Sequence, residues 1–123
     1  MTDSELFDST IWLEYFIKGS FKEKIEQDEV FSISSFSLFE IKRKLLKKKE
    51  LKKKEIEEKM KFIKDKSLII NVDETIAEKA AEIAEEKSLG AADALIYTTA
   101  LLNNATLLTL DNDFRGFDKV IVL

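Results

Sequence analysis

The stretch Leu6-Phe7-Asp8-Ser9-Thr10-Ile11-Trp12-Leu13-Glu14-Tyr15 decides the fold. A short apolar run stops at a carboxylate, Asp8. Ser9 and Thr10 then open a segment in which Ile11, Trp12, Tyr15 and Phe16 recur at helical spacing. The pattern is a buried strand, Leu6 to Asp8, feeding a helix, Thr10 to Lys18, with Asp8 at the strand's carboxyl end. In open α/β sheets that rim is where ligands are held, because strand ends and helix N-termini share one crevice. One aspartate there carries little weight; what matters is whether the chain returns other carboxylates to the same rim.

The whole sequence allows this. At 123 residues, 45% hydrophobic and 36% charged, it suits one domain with a real core, taken as residues 1–123. The net charge of -4 argues against a basic coat for nucleic acid. No apolar run is long enough to span a bilayer and no leader pattern is evident, so the expectation is a soluble, cytoplasmic protein with no membrane partner. Cysteine and histidine are both absent. Disulfides, thiolate zinc sites, cysteine nucleophiles and imidazole acid–base chemistry are thereby excluded. Any catalysis must rest on carboxylates, hydroxyls, lysines and a hard cation.

Along the chain, Gly19 ends the first helix and Ser20 is placed to cap a short second one, Phe21 to Gln27. Val30 to Ser34 reads as a strand, and Ser34 or Ser35 starts a helix through Phe36, Leu38, Phe39, Ile41, Leu45 and Leu46. The lysine-rich segment from Lys42 to Lys66 keeps a sparse apolar stripe (Leu51, Ile56, Met60, Ile63), giving two surface helices joined near Lys49. Ser67 to Val72 is a third strand. Asp73 caps a helix whose buried face is expected to be Ile76, Ala77, Ala80, Ala81, Ile83 and Ala84. A small-sided helix follows from Ala91 to about Asn104, then a strand from Thr106 to Leu110 ending in Asp111, a tight loop through Phe117, and a last strand from Lys119 to Leu123. Strands alternate with helices, with no hairpin turn between neighbours until the end. That is an α/β fold of three layers, α/β/α, around a central, mostly parallel sheet.

Four carboxylates fall at one rim of such a sheet. Asp8 ends the first strand, Glu40 lies one turn into the helix after the second, Asp93 is in the first turn of the Ala-rich helix, and Asp111 ends the fourth strand, with Asp113 two residues on. Each has an ordinary explanation: a helix cap for Asp8, a pairing with Arg43 or Lys44 for Glu40, the helix macrodipole for Asp93, turn chemistry for Asp111 and Asp113. Together they make an oxygen-only cluster that repels itself unless a cation neutralises it. Such a cluster suits Mg²⁺ or Mn²⁺, and the matching chemistry is metal-assisted phosphodiester hydrolysis, in which the ion acidifies a water and offsets charge on the reacting phosphate.

These pieces resemble a known family. Phe7-Asp8-Ser9-Thr10 with Trp12-Leu13-Glu14-Tyr15, then Ser34-Ser35-Phe36-Ser37-Leu38-Phe39-Glu40-Ile41, then Ala91 to Ala100 around Asp93, then Leu107-Leu108-Thr109-Leu110-Asp111-Asn112-Asp113-Phe114 are similar, in order, to the PIN-domain nucleases. Within that family the chain looks most like the VapC toxins of type II toxin–antitoxin pairs. The resemblance implies an Mg²⁺- or Mn²⁺-dependent endoribonuclease acting on RNA, with Asp8, Glu40, Asp93 and Asp111 as catalytic acids and metal ligands and Asp113 as a further ligand position that varies among relatives. It also implies a homodimer, a cognate VapB-like antitoxin inserting a segment near the active groove, and Ser9 and Thr109 as hydroxyls that orient a carboxylate or phosphate.

Two other features bear on substrate. Lys42 to Lys54 could steer an RNA backbone toward the acids or could be a solvated surface mixing Lys and Glu. Arg43 and Arg115, the two arginines, are placed as phosphate contacts because their planar fork binds oxygens in pairs. Trp12, Tyr15, Phe16 and Phe39 are assigned to core or interface. Rival folds fit less well. An aspartyl-phosphate phosphatase wants Asp-x-Asp where this chain has Asp8-Ser9-Thr10, and a receiver domain could use Asp73 as acceptor but lacks the acidic pair. An RNA-processing PIN nuclease without an antitoxin remains open.

Overall fold

The computed structural model describes residues 4–123. Alternation along the strands explains its layering. In β1 (Ser4–Phe7), Leu6 and Phe7 are both fully buried yet point to opposite faces, and in β4 (Ala105–Thr109) Leu107 and Leu108 do the same. Phe7 and Leu108 join Ile11, Trp12, Phe31, Ile33, Ile41, Leu45 and Ile63 in one core. Leu6 and Leu107 join Ile83, Ile96, Tyr97, Ala100 and Phe114 in the other. A sheet buried on both faces needs helices on both, and such a sheet is parallel.

The first face is covered by α1 (Ser9–Lys18), α2 (Lys22–Glu26), α3 (Ser35–Leu46) and α4 (Lys53–Lys66), the second by α5 (Glu74–Lys87) and α6 (Ala91–Leu102). With β2 (Phe31–Ser34), β3 (Ser67–Ile70) and β5 (Val120–Val122), the sheet has the order β3-β2-β1-β4-β5. Every pairing is parallel. The three-layer α/β/α architecture with a parallel sheet is thus the observed one.

Three local expectations need correction. The last strand does not fold back as a hairpin: β5 runs parallel to β4, with Leu107 opposite Val120. One 3₁₀ turn (Asn112–Phe114), anchored by the buried Phe114, lets so short a connection cross over. Ser20 does not cap α2; its hydroxyl donates to Glu14, and Phe21 occupies the cap position in a left-handed conformation with no side-chain cap bond. In α5 only Ile76, Ala80 and Ile83 are buried, whereas Ala77 and Ala81 are exposed. Alanine fits either side of a helix, so composition overstated the width of the stripe. Phe39, assigned to core or interface, is 57% exposed and so lies outside the core.

Side-chain caps start α3 and α5 as their sequences indicate. Ser34 Oγ accepts from the Phe36 amide to start α3, and Asp73 Oδ1 accepts from the Ile76 amide to start α5. Asp73 therefore has a structural role at the end of an edge strand, remote from where a receiver's central acceptor would sit. No described helix is long and apolar enough to cross a membrane.

The tightest part of the first core is aromatic. Phe7 stacks on Phe31 with centroids 4.3 Å apart and meets Trp12 at 5.8 Å. Phe7→Ala removes a fully buried ring from the central strand and is expected to cost about 3–5 kcal/mol. Urea unfolding followed by the fluorescence of Trp12, the single tryptophan, measures it; a loss below about 1 kcal/mol would contradict this account of the core.

Candidate metal-binding acidic site

The site begins with the carboxylate that ends β1. Asp8 has the extended backbone of a helix cap (φ -69°, ψ 159°), and its Oδ1 accepts from the Ser9 amide at 2.7 Å. Its Oδ2 accepts from the Thr109 hydroxyl at 2.7 Å and from the Thr10 hydroxyl at 3.2 Å. The two threonines are themselves fixed by the strand opposite: Thr109 Oγ1 accepts from the Asp111 amide, and Thr10 Oγ1 accepts from the Leu110 amide. The Asp8 amide in turn donates to the Leu108 carbonyl. The ends of β1 and β4 are thus tied through one carboxylate that is 7% exposed.

The other acids reach the same rim. Glu40 is in the second turn of α3, Asp93 in the first turn of α6, and Asp111 caps the 3₁₀ turn, accepting from the Asp113 amide at 2.9 Å. Carboxylate oxygens of Asp93, Asp111 and Asp113 lie within 4.8 Å of one another. Asp8 and Glu40 stand close enough to act on this trio through their charge. All five predicted acids are brought together, and Asp113 shares an oxygen cage with Asp93 and Asp111.

Their electrostatics call for a counter-charge. Burial pushes the Asp8 carboxyl up against the pull of its hydrogen bonds from Thr109, Ser9 and Thr10. Burial also raises Glu40, reinforced by repulsion from Asp8 and Asp93 and opposed by the Ser9 hydroxyl and the Lys44 ammonium. Asp93 is lifted from 3.8 to about 6 by burial and then by repulsion from Asp111, Asp8 and Asp113. Desolvation and like charge act in the same direction, and a divalent cation reverses both. The donor set is oxygen-only and partly open to solvent, which fits Mg²⁺ or Mn²⁺ and does not fit a soft metal.

The remaining predicted residues divide. Thr109 holds Asp8 through its hydroxyl, and Ser9 holds it through its amide at 2.7 Å and, more weakly, its hydroxyl at 3.4 Å. Arg115 lies two residues past Asp113, and its Nη2 donates to Asn112 Oδ1 at 2.7 Å. Arg43 lines a separate groove on α3 with Leu38, Phe39, Lys42, Leu46, Met60 and Lys64. Sequence reasoning missed Thr10, whose hydroxyl both donates to Asp8 and accepts from Leu110. Its place at the second residue of a helix that follows a strand-end aspartate was the available signal. It also did not separate Lys44, Lys47 and Lys48, which line a groove reaching Asp111, from the other lysines of the segment.

Comparison with known proteins bears on the family and the fold. The family described as "PIN domain" matches residues 6–120. No curated protein matches the chain in sequence. Among solved structures, a toxin–antitoxin complex from Klebsiella pneumoniae contains a chain with TM-score 0.81 and 24% identity, covering 97% of both chains. VapBC2 from Rickettsia felis, bound to a DNA fragment from its promoter, gives 0.76 and 24%, covering 97% of this chain and 96% of that one. VapBC-5 from Mycobacterium tuberculosis, of the VapBC toxin–antitoxin family, gives 0.63 and 16%, covering 99% and 98%. At these identities the likeness is one of fold.

Asp93 sets a pH test. Its proton is bound more tightly in the folded chain than in the unfolded one, so without metal its contribution to stability falls as pH rises between about 4 and 6. Asp93→Asn is expected to raise the Tm at pH 7 by a few degrees in chelator and to flatten that pH dependence. Added Mg²⁺ or Mn²⁺ should raise the wild-type Tm and leave the variant's nearly unchanged. Equal metal response in both proteins would remove Asp93 from the cage.

Proposed function

The chain belongs to the PIN-domain family, and on that footing we propose that it is a divalent-metal-dependent endoribonuclease, the toxin of a VapBC-type toxin–antitoxin pair. The observation that carries this reading is the convergence of Asp8, Glu40, Asp93, Asp111 and Asp113 on one rim, with three of them sharing a cage of 4.8 Å. Nothing in a stable fold requires five carboxylates at one place, and the Asp93 carboxyl is raised there by burial first and by repulsion from its neighbours second.

In this proposal Asp93, Asp111 and Asp113 hold Mg²⁺ or Mn²⁺, with Asp8 and Glu40 completing the ligand set. The cation supplies positive charge beside the scissile phosphate and makes a nearby water more acidic. The chain's own residues do the rest. Thr109 and Thr10 hold Oδ2 of Asp8 and the Ser9 amide holds Oδ1, so the carboxylate needs no reorganisation when it acts. Glu40, its carboxyl raised by burial and then by Asp8, is a second acid of the rim that could hold a proton there. Arg115 stands beside the cage, where its remaining guanidinium hydrogens can meet a phosphate oxygen.

An antitoxin partner follows from the same reading. The relatives of like fold are toxin–antitoxin complexes, and α3 carries the exposed Phe39 and Leu46 over a groove floored by Leu38 and Met60. Apolar surface of that kind is suited to burial against another chain. A homodimer and a cytoplasmic setting belong to this proposal as well.

Cleavage of a mixed-sequence RNA by the purified chain tests it. Activity with Mg²⁺ or Mn²⁺ is expected to stop on chelation and return when metal is restored. Asp8→Asn should lower the rate by at least about 100-fold, beyond what outer-sphere partners cost, with the fold intact by circular dichroism. Thr109→Val, which leaves Asp8 in place but without its 2.7 Å hydroxyl donor, should cost about 10–100-fold. Full activity in Asp8→Asn would sink the assignment of that carboxylate.

A further inference from the structure

A polyanion approaching five clustered carboxylates is repelled unless cations stand along its path. One path has them. A groove of about 660 Å³ runs between α1 and the C-terminal end of α3 and opens on the acidic site at Asp111. Lys44, Lys47 and Lys48 line its α3 side, while Leu13, Ile17 and Leu110 supply apolar lining. Lys18 also reaches the groove but is paired with Glu14 at 3.3 Å, whereas no salt bridge among the described residues engages Lys44, Lys47 or Lys48. Lys44 already acts on Glu40, so the cationic side of the groove and the acidic site are electrically continuous.

Resting on the nuclease reading above, we propose that this groove seats the single-stranded RNA flanking the scissile linkage. Lys44, Lys47 and Lys48 neutralise successive phosphates, and the apolar patch of Leu13, Ile17 and Leu110 receives the face of an unstacked base. The dimensions suit this role. From Thr10 to Lys18 the groove follows α1 for about 12 Å at 1.5 Å per residue. That is on the order of three nucleotides at about 3.4 Å per step of a stacked strand, and fewer where a base is unstacked. Such a span agrees with recognition of single strands, in which a charged wall follows the backbone while bases lie on apolar surface. Lys44 and Lys47 also favour the negative end of α3, but a helix end accounts for neither the apolar patch nor the opening at Asp111. The charge on Lys44, Lys47 and Lys48 makes them positioning residues: they set where the phosphate lies and take no part in breaking its bond.

The test compares two triple variants of equal charge change. Lys44→Gln/Lys47→Gln/Lys48→Gln removes the groove cations, and Lys49→Gln/Lys53→Gln/Lys54→Gln removes three exposed lysines outside the groove. Cleavage of a fluorescent single-stranded RNA is measured in Mg²⁺ across a salt series, and binding is measured by anisotropy in the Asp8→Asn background. The groove variant is expected to raise KM about 10-fold or more with kcat little changed. It should also reduce the slope of log affinity against log salt by about 2, at about 0.7 for each phosphate no longer neutralised. The control variant should match the wild type on both counts. Wild-type KM and slope in the groove variant would overturn the proposal while leaving the nuclease reading intact. Absence of RNA cleavage and binding by the wild type would instead overturn the nuclease reading, and this proposal with it. If polyglutamate binding depends on these lysines while RNA binding does not, the groove belongs to an acidic protein segment, which also overturns it.

Discussion

The hydrogen bond from Thr109 to Asp8 is the contact on which this molecule turns. It joins residues 101 positions apart at 2.7 Å, inside a pocket where Asp8 is almost without solvent. A buried carboxylate without donors would be costly, and Asp8 meets that demand with the Ser9 amide and two threonine hydroxyls. Those hydroxyls are oriented by amides of the β4 end. Folding and site assembly are therefore one event: the pairing of β1 with β4 creates the donors that make Asp8 tolerable, and Asp8 then holds the rim on which the other acids stand.

The remainder of the architecture presents this rim. Leu6 and Phe7, and Leu107 and Leu108, send their side chains into opposite cores, so the two strands are clamped from both faces. With the clamp fixed, α3 and α6 deliver Glu40 and Asp93 from helices on opposite sides of the sheet. The result is a cluster under its own repulsion, with Asp93 lifted to about 6 by burial and the neighbouring carboxylates. Crowding of this sort is what a divalent cation relieves. The lysines of α3 supply the complementary sign a few turns away.

The acids were legible because strand ends and first helical turns leave local marks: an apolar run, a carboxylate, then hydroxyls. The layering was legible for a similar reason, since buried parallel strands are apolar on consecutive positions. What escaped was anything set by packing angle. Ala77 and Ala81 look as apolar as Ala80, yet only Ala80 faces inward. Lys44, Lys47 and Lys48 resemble their neighbours until α3 is laid beside α1. Arg43, one residue from Lys44, points to a different groove. The parallel course of β5 depends on a buried Phe114 in a 3₁₀ turn, a tertiary anchor that no turn residue announces.

The order of assembly has a consequence for a chain still being made. Asp8, Glu40 and Asp93 all precede β4, the strand that orients the first of them and leads directly into Asp111. A nascent polypeptide that has reached α6 carries most of the acids and none of the arrangement. The acidic rim of a growing chain thus stays unassembled until Thr109 has cleared the ribosome and closed on Asp8.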